Sequence, residues 1–462
     1  MKDAAIRRPR AYLRVGATAL LLTLTLGSTA QTPGAGVDPS AVATVSTSSL
    51  DAAPPAAAPA PIKQPQIPLS SEFDARLFEA AAQQLVADQR VPGLAMAIVY
   101  NGRVLSARGY GITDVQAAEP VDAHTVFRLA SLSKGFAGTL AGLLVNDGSI
   151  RWDSKLTQYL PEFRLRDPSA AEQITVADVL SHRVGLRHHS LDRDLEQYVD
   201  YRTLTRRLAD APLSCQPGTC YGYQNIAFSL IGDVAFAATG TFYSQAVQRR
   251  LFKPLGMNDA SLGLEGIRSS PRWARPHVRT RGGWVSVTPK PTYYEVAPAA
   301  GVNASASDMA QWLIAQTGHR PDVLPAPLLA TLHSPLVNTP GEMRSSAWRR
   351  ERLTRAGYGL GWRVYDYAGH QLVYHGGAVQ GYRGAIAMLP ERDFGVAVLW
   401  NGESALPAGL LPSILDKAIG MSSGGRWLDV DFEEASLYVQ SNFGAPGDNP
   451  GSNASRASAS PE

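Results

Sequence analysis

Cysteine and lysine are both scarce in this chain. Its 462 residues include two cysteines, and seven lysines against 36 arginines. The two cysteines lie in CQPGTC, residues 215–220, so the CxxC spacing that is typical of redox and zinc sites is absent. Apolar residues make up 45% of the sequence, which is enough to bury a large core in one big domain or in two lobes.

The N-terminal region has no long hydrophobic run, because its uncharged apolar stretch covers only residues 15–26. This stretch is too short to span a bilayer, but four arginines precede it and Ser28-Thr29-Ala30 follows it. The pattern predicts a secretory signal peptide over residues 1–30, with an uncleaved anchor as the alternative. We therefore expect a periplasmic or secreted protein, with no membrane span after removal of the signal.

Strong net charge is absent from the rest of the chain. The whole sequence carries a formal charge of +3, which becomes −1 when residues 1–30 are removed. The apparent basicity belongs to the predicted signal, so the composition does not indicate nucleic-acid binding.

Composition also divides the remaining chain into three parts. Residues 31–70 are rich in Ala, Pro, Ser and Thr and almost free of charged and aromatic residues, which predicts a disordered linker. The folded domain is predicted over residues 71–422. Residues 423–462 are predicted to form a C-terminal extension that is disordered at its end. No internal repeat is found in the sequence.

The order of predicted elements indicates an α/β (α+β) fold. A helix is predicted over about residues 71–89, and two strands joined by Asn101-Gly102, the strongest short hairpin signal, follow in LAMAIVYNGRVLSARGYG. Further strand-like runs are predicted near the C-terminal end of the folded domain, before a helix at about residues 410–418. The stretch between the N-terminal and C-terminal strands is predicted to be mostly helical. We expect one antiparallel sheet flanked by helices from both chain ends, an inserted mainly helical lobe, and a site in the groove between them.

One short motif, ASLSKG at residues 130–135, places a serine and a lysine three residues apart where a helix is predicted to begin. At this spacing the Lys134 amine can approach the Ser131 hydroxyl, which is a weak nucleophile until a base takes its proton. The alternative is that Ser131 only caps the helix and Lys134 lies on the surface. The scarcity of lysine favours a catalytic role for Lys134, because a base must be able to lose its proton and arginine, which the chain uses elsewhere for positive charge, cannot.

Two further segments carry residues suited to the same chemistry. GTCYGYQNIAF presents Tyr223 and Asn225 two residues apart, so that in an extended segment both side chains face the same way. The phenol could relay a proton while the amide orients the lysine or the substrate. VYHGGAVQGYRG places His375-Gly376-Gly377 at the end of a predicted strand, where paired glycines let the backbone approach a ligand closely.

These three motifs, in this order and spacing, resemble those of the penicillin-recognising serine hydrolases. They are most similar to the branch that contains class C β-lactamases, D-alanyl-D-alanine carboxypeptidases of the H-x-G type, D-aminopeptidases and related esterases. The similarity extends over about residues 73–415 and includes FRLASLSKGF, ITVADVLSHRVGL and YQNIAFSLIGDV. It implies a β-lactamase/transpeptidase-like fold and a serine hydrolase that cleaves an amide or ester through an acyl-enzyme, and the predicted signal peptide makes this an exported hydrolase.

The resemblance also implies a role for each matching residue. Ser131 would be the acylated nucleophile, and Lys134 and Tyr223 would share the proton transfers, with the base left open between them. The oxyanion hole would consist of the backbone N–H groups of Ser131 and Ala378. The substrate-binding residues would be Asn225, His375, Gly377 and Ala378.

His375 departs from most β-lactamases, which carry lysine at this position of the motif. Lysine keeps its charge near neutral pH, whereas the ordinary pKa of histidine is near 6.5. We therefore expect weak and pH-sensitive binding of a substrate carboxylate, which favours a peptidase or esterase. The alternatives are a true class C-type β-lactamase and a non-catalytic sensor that binds penicillin or peptidoglycan.

Export to an oxidising compartment and the Pro-Gly turn between Cys215 and Cys220 favour a disulfide, with a free buried pair as the alternative.

No metal or cofactor is predicted. His188-His189 with Asp192 and Asp194 match no ligand spacing that would hold a metal. The expected partner is a small-molecule or peptide substrate, which could be an ester, a D-amino-acid peptide or a β-lactam. The sequence does not predict the oligomeric state.

Overall fold

Strands from both ends of the folded chain pair in an eight-stranded antiparallel sheet, with the order β2-β1-β13-β12-β11-β10-β9-β8. The computed structural model describes residues 67–422 and 427–428, which fall within one unit, Ala60–Glu462. The predicted signal peptide and most of the predicted linker lie outside the described residues. The strands of this sheet are β1 Gly93–Tyr100, β2 Arg103–Gly111, β8 Val337–Asn338, β9 Leu353–Tyr358, β10 Arg363–Tyr367, β11 His370–Val379, β12 Tyr382–Leu389 and β13 Phe394–Trp400.

The inserted part of the chain is mainly helical, as the sequence predicted. It also carries a three-stranded sheet in the order β3-β7-β4 and a two-stranded hairpin. These shorter strands are β3 Phe127–Arg128, β4 Ser261–Leu262, β5 His277–Thr280, β6 Gly283–Ser286 and β7 Val302–Ala304.

The α-helices of the described residues come from the two chain ends and from the inserted part. They are α1 Ala75–Ala87, α2 Ser133–Asn146, α3 Leu156–Tyr159, α4 Pro168–Gln173, α5 Val176–Leu180, α6 Asp192–Glu196, α7 Tyr201–Arg207, α8 Ile226–Thr239, α9 Tyr243–Val247, α10 Lys253–Leu255, α11 Gly263–Arg268, α12 Ala297–Ala300, α13 Ala306–Ile314, α14 Ala326–Leu332, α15 Ala347–Arg352 and α16 Leu410–Ile419.

The large sheet is covered on both faces. Successive side chains of a strand point to opposite faces. In β1, Leu94 and Met96 join the cluster formed with α1 and α16, whereas Ala95 and Ala97 join the cluster formed with the inserted helices. Burial on both faces explains why β1 and β13 read as continuous apolar runs rather than as alternating patterns.

The predicted hairpin is confirmed. Asn101 and Gly102 connect β1 to β2 with φ values of 50° and 67°, both in the left-handed region that a two-residue hairpin turn of type I′ requires. Asparagine and glycine are the residues that adopt this conformation most readily, so this turn follows from local sequence.

Parts of the predicted linker and extension pack on the domain. The Ile67 N–H donates to Glu391 O at 2.9 Å, and the Ser70 N–H donates to Ala418 O at 3.1 Å. At the other end, the indole N–H of Trp427 donates to the Asp416 carboxylate at 3.0 Å. The ordered contacts of the described chain thus extend slightly beyond residues 71–422.

Over the part of the chain that is described, no single helix is both long and apolar enough to cross a bilayer; the pair Ile226–Thr239 and Tyr243–Leu255, bent by 82°, passes together by length and composition alone.

Candidate active site

Ser131 lies in a short 3₁₀ turn, Ala130–Leu132, that leads directly into α2. Ala130, the residue before it, has φ of 50°. A left-handed conformation costs a residue with a Cβ roughly 1–2 kcal/mol, so packing must hold it in place. Ala130 is almost fully buried, which supplies that packing. Strain of this kind is typical of functional sites.

Lys134 follows one turn later and is fully buried. Its Nζ atom lies 3.4 Å from Ser131 Oγ, and it donates to Asn225 Oδ1 at 2.7 Å and to Ala299 O at 3.1 Å. A neutral amine has two hydrogens and one lone pair. If the two hydrogens go to Asn225 and Ala299, the remaining position of the nitrogen faces the Ser131 hydroxyl.

The surroundings of Lys134 favour this neutral form. Burial lowers the pKa of the Lys134 amine well below its usual value, because the ammonium loses its hydration. The Asp192 carboxylate opposes this shift and the Arg363 guanidinium adds to it. The site thus contains an amine that can accept a proton.

Tyr223 reaches the same place from a distant part of the chain. Lys134 Nζ lies 4.6 Å from the centroid of the Tyr223 ring, and Tyr223 is itself buried. Two histidines fix the backbone here: the Tyr223 N–H donates to His188 Nδ1 at 3.2 Å, and the Gln224 N–H donates to His182 Nδ1 at 3.1 Å. The Gln224 side chain donates to Arg187 O.

Asn225 immediately precedes α8 and is held from both sides. Its Oδ1 atom accepts from Lys134, and its Nδ2 atom donates to Asp192 Oδ2 at 2.7 Å. The same carboxylate oxygen lies 2.7 Å from His189 Nδ1. A carboxylate only accepts, so this ring nitrogen is the donor. Sequence analysis considered Asp192 and His189 only as possible metal ligands, and the fold places them at the site instead.

The second half of β11 faces the 3₁₀ turn. Residues 375–379 pair with β12 on one side, while β10 pairs only as far as Tyr374 on the other. A Cβ added to Gly377 would lie 2.4 Å from Leu129 O and 3.2 Å from the Ser131 nitrogen. Glycine is therefore needed for this close approach, which brings the strand segment that includes Ala378 next to Ser131.

His375 is almost fully buried at this edge, with Nε2 3.1 Å from the Tyr358 hydroxyl and Nδ1 2.7 Å from Gly376 O. Burial lowers the pKa of His375 well below its usual value, and the nearby Arg363 and Lys134 lower it further. The imidazole is therefore neutral near pH 7. This differs from the expectation of a charge that titrates close to pH 6.5.

A largely buried cation lies near the phenol instead. The Arg363 guanidinium lies 5.5 Å from the Tyr223 ring centroid and pairs with Glu342, which also binds Arg349. Burial alone would raise the pKa of the Glu342 carboxyl, but Arg363 and Arg349 outweigh it and lower that pKa to about 2. Both charges of the Arg363–Glu342 pair are thus permanent near neutral pH.

Cys215 and Cys220 form a disulfide with a Cα–Cα distance of 6.2 Å. The end of the disulfide loop and the residue after it line one wall of a cavity of about 530 Å³. The lining residues are His188, Thr219, Cys220, Tyr221, Val337, Asn338, Thr339, Pro340, Gly341 and Glu342.

The structure brings together most of the residues that the sequence selected. Ser131, Lys134 and Asn225 are linked by hydrogen bonds, and the Tyr223 ring packs against the lysine nitrogen. Gly377 touches the turn that carries the serine. Within the described chain, no group of three or more His, Cys, Asp or Glu residues could hold a metal ion.

Arg363, Asp192 and His189 are contributors to the site that sequence analysis did not assign to it. Arg363 follows GLGW, and only the fold shows that its side chain turns toward Tyr223. Asp192 lies 33 residues before Asn225, and no local pattern connects them.

A large sheet, inserted helices and a serine–lysine pair at the place where the two meet are the arrangement of a serine hydrolase. The family model described as Beta-lactamase matches residues 78–418, and the chain belongs to that family.

Several curated proteins are similar to the chain. It is 30% identical over 349 residues to a D-aminopeptidase of Gluconobacter oxydans, covering 73% of this chain and 61% of that protein. It is 25% identical over 363 residues to an unguisins hydrolase of Aspergillus campestris, covering 76% and 66%. It is 26% identical over 374 residues to penicillin-binding protein 4 of Amycolatopsis lactamdurans, covering 78% and 93%. The match therefore spans less than two thirds of the first two of these relatives.

Solved structures show the same fold. The octameric penicillin-binding protein homologue from Pyrococcus abyssi matches with a TM-score of 0.67 and 23% identity, covering 76% of this chain and 78% of that one. The crystal structure of SurE matches with a TM-score of 0.61 and 22% identity, covering 76% and 77%.

Proposed function

We propose that this protein hydrolyses an amide or ester bond through an acyl-enzyme formed on Ser131. The observation that carries the proposal is the buried Lys134 amine, 3.4 Å from the Ser131 hydroxyl and hydrogen-bonded to two other acceptors. Because burial favours the neutral amine, its lone pair can take the Ser131 proton as the hydroxyl oxygen attacks a carbonyl carbon.

The other site residues are assigned by where negative charge develops and where protons are transferred. The oxyanion formed by this attack accepts hydrogen bonds from the backbone N–H groups of Ser131 and Ala378. The bond to the leaving group then breaks as the Tyr223 phenol protonates it, and the Lys134 ammonium returns a proton to the phenol. Water releases the acyl group by the same steps in reverse.

The proposed substrate is a D-amino-acid peptide or an ester. The name of one relative, a D-aminopeptidase, supports amide hydrolysis, and the name of another, an unguisins hydrolase, supports hydrolysis more generally. The neutral, buried His375 supports a peptidase or esterase over an efficient β-lactamase, because it supplies no fixed positive charge for a β-lactam carboxylate.

We also propose that the protein is exported. The charged segment and apolar stretch within residues 1–30 support a signal peptide. The Cys215–Cys220 disulfide suits an oxidising compartment. Mass spectrometry of the protein from a periplasmic or culture fraction should give a mature N-terminus after Ala30, and an intact residue 1–30 segment on the exported protein would contradict a cleaved signal.

A covalent label tests the reaction. A fluorescent fluorophosphonate or penicillin should label the wild-type protein, and the label should be lost in Ser131→Ala. Ser133→Ala is the matched control, because the Ser133 hydroxyl accepts from the Val302 N–H at 3.0 Å, a bond that lies outside the proposed proton transfers. The proposal would be overturned if neither probe formed a covalent adduct with the folded wild-type protein. Turnover of p-nitrophenyl esters, nitrocefin and D-alanyl peptides then ranks the substrates.

A further inference from the structure

We propose that Asp192 is a positioning residue that acts through Asn225 to hold the Lys134 amine against Ser131. The four side chains are linked in sequence: Asp192 accepts from Asn225, Asn225 accepts from Lys134, and Lys134 lies beside Ser131. The inference rests on the acyl-enzyme mechanism proposed above.

The chemistry of the two neighbours determines how the Asn225 amide is oriented. A side-chain amide has an oxygen that accepts and a nitrogen that donates. The lysine needs an acceptor and the carboxylate needs a donor, so only one orientation satisfies both. Without the Asp192 carboxylate, the amide could turn its nitrogen toward Lys134, where two donors would face each other and the lysine would lose a contact.

Asp192 is itself firmly placed. It is buried, and it opens α6. His189 donates to its Oδ2 atom from the preceding loop, at the partly exposed end of the cluster. To bring the two side chains together, His189 and Leu191 both adopt left-handed φ values, 56° and 66°. Such a conformation is uncommon in residues other than glycine and is typical of functional sites.

Asp192 also carries the negative charge that opposes the neutral form of Lys134. The other groups that face this amine are the Tyr223 phenol, the Arg363 guanidinium and the imidazoles of His182 and His375. Arg363 is a fixed cation, and burial keeps both imidazoles neutral near pH 7. Removing the Asp192 charge should therefore lower the pKa of Lys134 further.

The first test uses Asp192→Asn and measures Ser131 acylation and ester turnover against pH. We expect kcat to fall roughly 10- to 100-fold, the effect of losing one hydrogen bond to a charged acceptor, with little change in KM. The acid limb of the pH profile should move to lower pH, because the amine stays neutral further into acid. A merely structural role would reduce the amount of active protein and leave the limb in place.

The second test exchanges the two residues. Asn225→Asp alone places two carboxylates side by side and should be more severe than Asp192→Asn. The double variant Asp192→Asn/Asn225→Asp restores the match between the two side chains, since the nitrogen of the new asparagine can donate to the new aspartate and also to His189 Nδ1, once that ring takes its other neutral tautomer. We expect the double variant to recover at least tenfold activity over Asn225→Asp. Strictly additive losses would overturn the proposal.

Asp416→Asn is the control for loss of a buried carboxylate. Asp416 is fully buried and binds Arg352 and Tyr367. It lies on the face of the large sheet that packs against α1 and α16, away from Ser131. The Asp416→Asn change should lower the melting temperature without moving the acid limb. If the wild-type protein forms no adduct, the proposed function fails. If the wild-type protein is labelled but Asp192→Asn matches it in rate and pH profile, only the positioning role fails.

Discussion

At the scale of single residues, the site depends on an amine kept out of water. Lys134 makes two short contacts to oxygen atoms, and neither comes from a carboxylate that would fix its charge. Arg363 adds to the effect of burial, while Asp192 limits it. The balance leaves a nitrogen that can exchange a proton with Ser131.

Lys134→Arg tests this balance, because it replaces an amine that can be neutral with a guanidinium that stays charged and cannot accept a proton. We expect Ser131 acylation to slow by roughly 10²- to 10⁴-fold, the usual contribution of a general base. The rate of labelling by a fluorophosphonate is the measurement. Lys155→Arg is the matched control, since Lys155 donates to Gln173 O at the surface. A Lys134→Arg protein within tenfold of wild type would rule out the lysine as the base.

At the scale of elements, the contact between β11 and the 3₁₀ turn builds the site. The strand comes from the C-terminal half of the sheet, and the turn comes from the start of the inserted part. Gly377 allows the two backbones to meet, and Leu132 closes the other side with its Cδ1 atom 2.7 Å from an added Cβ. Among the described residues, no strand pairs with this edge of β11 beyond Tyr374, which leaves a place where an extended substrate can pair.

Gly377→Ala should push the strand away from Ser131. Overpacking at a tight contact costs roughly 1–3 kcal/mol of stability. We expect the acylation rate of the protein that remains folded to fall as well. Gly376→Ala is the neighbouring control, because its added Cβ would meet only the Tyr374 side chain, at 2.9 Å. Thermal melting and the labelling rate separate the two effects. Equal activity in both variants would show that the close approach is not required.

At the scale of the whole molecule, stability depends on histidines that are buried in the neutral form. Burial lowers the pKa of His333 to about 4 and lowers the pKa of His182 and His375 well below the ordinary value of 6.5. The unfolded chain binds protons more readily than the folded one between these values. The contribution of these histidines to the free energy of unfolding should therefore be fully present above pH 6.5 and should decrease as the pH falls below that value.

For His333 the predicted window lies between pH 6.5 and about 4, with a slope of up to about 1.4 kcal/mol per pH unit for one proton. His333→Gln should reduce that slope, because glutamine does not titrate. Denaturant unfolding at several pH values measures it. An unchanged slope in the variant would show that His333 does not contribute. Glu342 acts in a lower window, from its ordinary pKa of 4.5 down to about 2.

Sequence reasoning reached the main elements of the fold because these depend on local patterns. Asn101-Gly102 forms the predicted hairpin turn, and the final helix, Leu410–Ile419, lies within one residue of its predicted end. The first helix is shorter than predicted, Ala75–Ala87, because the Asp74 side chain accepts from the Arg76 N–H and fixes its start. A helix cap of this kind is decided by a single side chain, so pattern length alone overestimates the helix.

The sequence by itself determined the spacing of Ser131 and Lys134, the pairing of strands from both ends and the family to which the chain belongs, because each is a property of neighbouring residues or of their order. Tertiary structure decided the rest. It joined Asp192 and His189 to Asn225, brought Arg363 to Tyr223, and buried His375 deeply enough to keep it neutral. Hydration and long-range charge set these properties, and both depend on which distant segments the fold packs together.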